Sequence, residues 1–282
     1  MMILASICFS LVAVAVHFLK ELSLTEIVFF RNLPIMLIVP LMLKHTKIPF
    51  WGNNKLLLIL RSLLTGFTMI VYFYTIRAMD LTDAVTIKQL SPFFIILLAS
   101  ISLREKISFK LVTIFILTFL GAMLVIKPGF RSDIYPAIIG LLGVMLTAGS
   151  HVTLRQLRLT DHPLVIVNFF GYTIGLLSFG VLLWQGNFHI PNTSNLFILI
   201  LLGLAGLGAQ FALTKAYQMA PINLISPYLY SQIIFSTFLG ILIFKEIPDL
   251  FTIFGVTLII VSGYLNYKLN LVRERKRFQK SP

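Results

Sequence analysis

The sequence predicts an all-α polytopic membrane protein of about ten transmembrane helices, arranged as two inverted five-helix repeats. Three observations predict it. The first is composition: 58% of the residues are hydrophobic and 12% charged, against about 45–50% and about 25% in a soluble domain. A chain of 282 residues could not hide that much apolar surface from water. The second is a succession of apolar runs, each near the roughly 20 residues a helix needs to cross the hydrocarbon core. The third is an echo between the two halves of the chain, which fixes architecture before any single motif does.

The echo joins Thr75–Gly129 to Ala216–Asn270, half a chain length later. Identity between the two stretches is low, but the order of events matches. Each has a polar-tipped loop, then an apolar span with polar residues near its centre. Each closes that span on a basic-Glu pair, Arg104-Glu105 or Lys245-Glu246, and adds a second apolar span ending at Lys127 or Lys268.

In order, the runs fall at about 3–19, 26–43, 56–77, 83–103, 108–126, 134–154, 163–184, 195–215, 222–244 and 250–267. Between them lie short breaker clusters: Lys47 to Asn54, Lys127 to Asp133, Thr160-Asp-His-Pro163 and Gln185 to Asn192. Their Gly, Pro, Asn and Asp content is turn chemistry. The first run lacks the basic n-region and small-x-small site of a signal peptide and is read as a span. The expected organisation is a first repeat over 1–129, a second, inverted repeat over 130–270, and a basic tail over 271–282.

Charge orients the chain. An even number of spans puts both termini on one side, and the Lys/Arg bias selects it. With the termini cytoplasmic, 15 of the 23 basic residues lie inside and 5 outside, with Arg31, Arg61 and Lys88 within spans. Each half has an odd number of spans, so the second enters the membrane upside down. The net charge of +13 therefore reads as topology and attraction to anionic lipid, and with no continuous basic face it excludes a nucleic-acid partner. The single cysteine, Cys8, excludes an internal disulfide framework, and no His/Cys cluster suggests a metal or another cofactor.

Several stretches taken together resemble the EamA-type branch of the drug/metabolite transporter superfamily. They are Glu26-Ile-Val-Phe-Phe-Arg31-Asn32, Leu90-Ser-Pro-Phe-Phe with Leu103-Arg-Glu105-Lys, and Gly121 to Lys127-Pro-Gly129. In the second half they are Ser226-Pro-Tyr-Leu-Tyr-Ser-Gln-Ile, Phe244-Lys-Glu-Ile-Pro-Asp249 and Gly255 to Ser262-Gly263. The resemblance covers nearly the whole chain and implies ten helices, a central cavity between the halves, and alternating access for small solutes. Asp80, where the family frequently has proline, and Lys88, which matches no family-wide motif, depart from it.

Lys88 is the leading candidate site residue. Six residues into its span, it lies about 9 Å below the helix start, where facing lipid would cost a few kcal/mol. Its structural alternatives are a pairing with Asp83 or a reach to the headgroups. Pro92 cannot donate to the carbonyl of Lys88, and Pro227 frees the carbonyl of Asn223 in the same way. Proline-broken helices at corresponding places are an expected signature of a transport site. Gln89, Ser91, Tyr230 and Gln232 stand beside these breaks as hydrogen-bonding candidates, and Arg31 is a candidate either for substrate binding or for helix packing. Glu105 and Glu246 are expected to be structural, capping the helix that follows and pairing with a neighbouring base. Arg61 is expected to snorkel to the headgroups.

The functional expectation is a secondary transporter of the inner membrane, moving a small carboxylate or zwitterion such as an amino acid by alternating access. Its partners are that solute and membrane lipid, and it acts as a monomer or homodimer. A lipid-linked sugar flippase or a multidrug exporter of the same superfamily are the alternatives. An intramembrane enzyme is disfavoured by the lack of Gly-x-Ser-x-Gly, His-Glu-x-x-His and paired midspan aspartates.

Overall fold

With no water to satisfy a bare backbone inside a bilayer, long apolar segments close their hydrogen bonds internally as helices. The computed structural model describes residues 1–102, 109–126, 134–186, 192–219 and 226–278, and among them every long apolar run is helical. The helices are α1 (Met2–Phe18), α2 (Leu24–His45), α3 (Lys55–Ala78), α4 (Leu81–Lys88), α5 (Ser91–Ser102) and α6 (Phe109–Ile126). They continue as α7 (Tyr135–Leu157), α8 (Pro163–Gln185), α9 (Thr193–Met219), α10 (Ser231–Leu239) and α11 (Leu250–Phe278). Among the described residues six are long and apolar enough to cross a membrane: α2, α3, α7, α8, most of α9 and the first 20 residues of α11.

Local chemistry sets the ends. Ser23 and Glu26 form a capping box at the start of α2, with Ser23 N donating to Glu26 Oε2 at 2.7 Å. The Asn54 side chain accepts from Leu57 N at 3.2 Å to start α3, and Asp249 accepts from Thr252 N at 2.9 Å to start α11. Helix α8 opens on Pro163, whose missing N–H needs no partner at that position, and closes on Gly186 at φ 62°.

Two expected spans are broken. The span expected at 83–103 is α4 and α5, separated by a turn at Gln89-Leu90, with Leu90 N donating to Ile87 O at 3.1 Å. The span expected at 222–244 holds, in its described part, a 3₁₀ turn (Ser226–Tyr230), α10 and a π-helical turn (Gly240–Phe244). The last helix also runs past the expected end at 267, so the first residues of the basic tail prolong α11.

The packing is inside-out relative to a soluble protein. Trp184, Leu56 and Phe197 are 87%, 77% and 72% exposed, while Arg31 and Arg61 are each 2% exposed. Helix α1 packs on α9 and α10, α2 on α8 and α9, α3 on α7 and α8, α4 and α5 on α7, and α6 on α11. Buried hydroxyls bond back to their own helices, as in Ser62 to Leu58 O at 2.7 Å and Thr147 to Gly143 O at 2.8 Å. That leaves few polar groups to face one another, and most of those that do converge between α2, α3, α4, α7 and α9.

Candidate functional site

A polar stripe runs down α3. Arg61, Thr65, Thr68 and Tyr72 recur at three- and four-residue spacing, which places them on one helical face, and all four line one internal cavity. Thr147, Ser150 and His151 of α7 face it from one side, Gln210 of α9 from another, Arg31 of α2 and Lys88 of α4 complete its polar wall, and Phe9 and Val12 of α1 add apolar surface. No Asp or Glu among the described residues lines it.

The three cations are held differently. The Lys88 ammonium lies over two aromatic faces, 4.4 Å from the centroid of Phe9 and 4.1 Å from that of Tyr72, an attraction worth about 0.5–2 kcal/mol. It also ends α4, where the negative end of a helix favours a cation. Arg31 donates to Asn32 Oδ1 at 3.2 Å, and Arg31 and Arg61 both lie over Phe170 of α8, at 5.4 and 5.2 Å. Gly206 of α9 permits this, because a Cβ there would meet Arg31 Cγ and Nε at 3.0 Å. Arg61 donates to Gln210 Oε1 at 3.3 Å. Its Nε and Nη1, like Thr68 Oγ1, are buried without a hydrogen-bond partner among the described residues.

Behind the cavity a hydrogen-bonded chain joins the two broken segments. Gln89 Nε2 donates to Leu229 O at 2.9 Å and to Gln232 Oε1 at 3.0 Å, and Gln232 Nε2 donates to Tyr72 Oη at 3.3 Å. Ser10 of α1 and Ser236 of α10 meet at 3.0 Å alongside.

Of the sequence-derived candidates, Lys88 and Arg31 line the cavity. Gln89 and Gln232 lie one layer behind it, touching it through Tyr72. Ser91 is buried but is not part of the wall, and Tyr230 is buried with its ring against Gly263 of α11. Pro92 falls in the first turn of α5 and Pro227 in the 3₁₀ turn, at the two helix interruptions. Glu105 lies outside the described residues.

Two expectations are corrected. Arg61 does not snorkel: the interior offers it Gln210 and the Phe170 face, and its guanidinium points into the cavity. Glu246 does not cap the helix that follows it, since Asp249 does that. Instead Glu246 Oε2 accepts from Leu81 N at 2.9 Å, at the start of α4, where the adjacent Asp80 makes no side-chain cap bond. Glu246 Oε1 lies 3.7 Å from His17 Nε2. The loop after the π-helical turn is thus tied to the first half of the chain.

That tie has a pH signature. Partial burial is the largest influence on the Glu246 carboxyl and raises its pKa above 4.5, while the Leu81 N–H opposes the rise. A carboxyl that binds its proton more tightly when folded contributes stability at low pH and loses it as pH rises from about 4.5 through its folded value. Glu246→Gln keeps an acceptor for Leu81 N and is expected to flatten that decline, whereas Glu246→Ala should flatten it too and in addition cost about 0.5–2 kcal/mol, as loss of a cap does. Thermal unfolding in detergent across pH 4 to 8 checks both. A Gln variant with the wild-type slope would assign the titration elsewhere.

A many-helix membrane protein with lipid-facing apolar sides and a cation-lined internal pocket has the form of a small-solute carrier. The chain belongs to the EamA-like transporter family, whose model matches residues 1–127 and 135–268. It is similar to the pseudopaline exporter CntI of Pseudomonas aeruginosa (strain UCBPP-PA14), at 31% identity over 266 residues and 92% of each chain. It is similar to solute carrier family 35 member G1 of Homo sapiens, at 28% identity over 93% of this chain and 76% of that one. The S-adenosylmethionine uptake transporter of Rickettsia prowazekii (strain Madrid E) is 24% identical over 83% of this chain and 80% of that one. A solved crystal structure aligns with a TM-score of 0.69 at 13% identity, covering 95% of this chain and 96% of that chain, which shows a shared fold. The protein is therefore a multi-pass membrane transporter of the drug/metabolite transporter superfamily and not an enzyme.

Proposed function

We propose that the chain is a secondary transporter of the inner membrane that moves a small metabolite, carboxylate or zwitterionic, by alternating access. The carrying observation is the cavity itself: Lys88, Arg31 and Arg61 converge on it and no described acid lines it. Cations gathered in a low-dielectric interior repel one another unless an anion joins them, and a substrate carboxylate is the anion a transporter would bring. Lys88, at the break between α4 and α5, is the proposed anchor. Gln89, Gln232 and Tyr72 hold the two broken segments in register behind it. Counterflow into proteoliposomes over a metabolite panel tests the reading: carboxylates and amino acids should exchange, and organic cations should not. Exchange of cations alone would move the chain to the multidrug alternative.

Alternating access needs two halves that can rock. The proposed halves are 1–129 and 130–270, each of five spans, followed by the tail at 271–282. The packing supports this. Number the spans in order, counting α4 with α5 and the 3₁₀ turn with α10 as single spans. Exchanging the two five-span halves then maps the α1–α9 contact onto α7–α3, the α2–α9 contact onto α8–α3, and the α1–α10 contact onto α7 with α4 and α5. The pairs α2–α8 and α6–α11 map onto themselves. The family match falls in two stretches, which agrees with the division.

An odd span count per half makes the repeats inverted, and the basic-residue bias puts both termini in the cytoplasm. Reporter fusions after Lys55, Lys106, Arg158 and the tail should read cytoplasmic, and fusions at Lys127 and Asn187 external. A tail that reads external would overturn the orientation.

A further inference from the structure

We infer that Arg61 and Gln210 form a second anion subsite, so that the substrate is a small molecule carrying two separated carboxylates. This deepens the proposed function and rests on its reading of Lys88 as the anchor for a first anionic group. Three observations carry it.

Arg61 keeps two buried donors that no described residue meets. Its guanidinium is 2% exposed, it lines the cavity, and Nε and Nη1 reach no acceptor among the described residues. A buried donor left unmatched is costly, and guanidinium is the side chain best matched to carboxylate. Arg31, by contrast, is tied to Asn32 of its own helix and packed over Gly206.

The support around Arg61 orients it without neutralising it. Gln210 Oε1 takes one hydrogen from Nη2 at 3.3 Å, Phe170 lies under the guanidinium carbon at 5.2 Å, and Thr68 adds to the same wall a buried hydroxyl with no partner among the described residues. An amide, a ring and a hydroxyl hold the fork in place while leaving its charge to be met by something else.

The two subsites are apart. Lys88 lies against Tyr72, which stands three turns from Arg61 on α3, about 16 Å along the helix axis. That figure is a backbone separation; the two cations enter from different helices, α4 and α3, and rest on different rings, Lys88 on Phe9 and Tyr72 and Arg61 on Phe170. Two carboxylates on a short chain can meet one cation each.

The test uses the full-length protein purified in detergent and probes differing only in the second carboxylate. They are glutamate against glutamine, and γ-glutamylglycine against its C-terminal amide, with affinity read from ligand-induced thermal shifts. The longer acid should bind at least about tenfold more tightly than its amide, since a charged hydrogen bond is at stake. The ratio should fall to near one in Arg61→Met and persist in Lys88→Met, with both members of the pair weakened. If Arg61→Met fails to fold, Arg61→Met with Gln210→Leu removes the same subsite without leaving the amide unpaired. Equal affinity of acid and amide in wild type, with both dependent on Lys88, would overturn the second subsite and leave the first. Binding by none of the four probes would overturn both.

Discussion

Lys88→Met is expected to weaken substrate binding by roughly 10- to 100-fold while leaving the protein folded, the equivalent of about 1.5–3 kcal/mol for a charged hydrogen bond. The fold should survive because the site asks little of the ammonium structurally. Its stem ends α4 and its head rests on Phe9 and Tyr72, 4.4 and 4.1 Å from the ring centroids. A methionine of similar length keeps contact with both rings, since a thioether also packs well on aromatic faces. What it loses is the charge, and with it the reason for a carboxylate to leave water. Lys88→Arg should restore binding only in part, because a planar fork does not fit between two rings as a compact ammonium does. Affinity for a transported substrate, compared at matched thermal stability, decides the matter. Equal affinities would make Lys88 a packing residue held by its aromatic neighbours, and the preference for anionic substrates would fall with it.

The helical architecture was legible because the bilayer imposes it. Apolar length, turn residues and the placement of Lys and Arg are read by the same physics that folds the chain, so the long helices before the last lie within a few residues of their expected bounds, while the last runs on to Phe278. The lining of the cavity was less legible, and the reason is geometric. Lys88 stood out because it is a charge at depth beside a proline. Arg61 is equally deep, yet its nearness to Lys55 suggested an exit to the headgroups, and only the tertiary packing of α8 and α9 shows that Phe170 and Gln210 draw it inward. A usable signal existed. Arg61, Thr65, Thr68 and Tyr72 repeat at helical spacing, and Thr147, Ser150 and His151 do so on α7, so polar stripes within apolar helices pointed to a shared interior. For Tyr230 a polar tip near a proline reads as a ligand-facing group, and the structure packs its ring against Gly263, outside the lining of this cavity. The Glu246 contact with Leu81 joins residues far apart in sequence, and no local pattern announces a cap supplied from the other half of the chain.

Removing the Arg61 fork together with its amide partner is expected to stabilise the ligand-free protein. Arg61→Met with Gln210→Leu replaces a buried, incompletely paired charge and a polar side chain by apolar groups of similar length. Such replacements of buried ionic and polar clusters often raise stability by about 1–4 kcal/mol. The single variant Arg61→Met should gain less, because Gln210 Oε1 would then stand unpaired at a cost of about 1–3 kcal/mol. Nε and Nη1 of Arg61 make no hydrogen bond among the described residues that would offset their burial. Their cost is tolerated only if a ligand repays it, which is the trade between stability and function expected of a binding site. Thermal unfolding of wild type, single and double variants in the same detergent, without ligand, gives the answer, and transport by the double variant should be lost even as its unfolding temperature rises. A double variant that unfolds earlier than wild type would mean that Arg61 anchors the contact of α3 with α8 and α9. The cavity would then owe its anion preference to Lys88 and Arg31 alone.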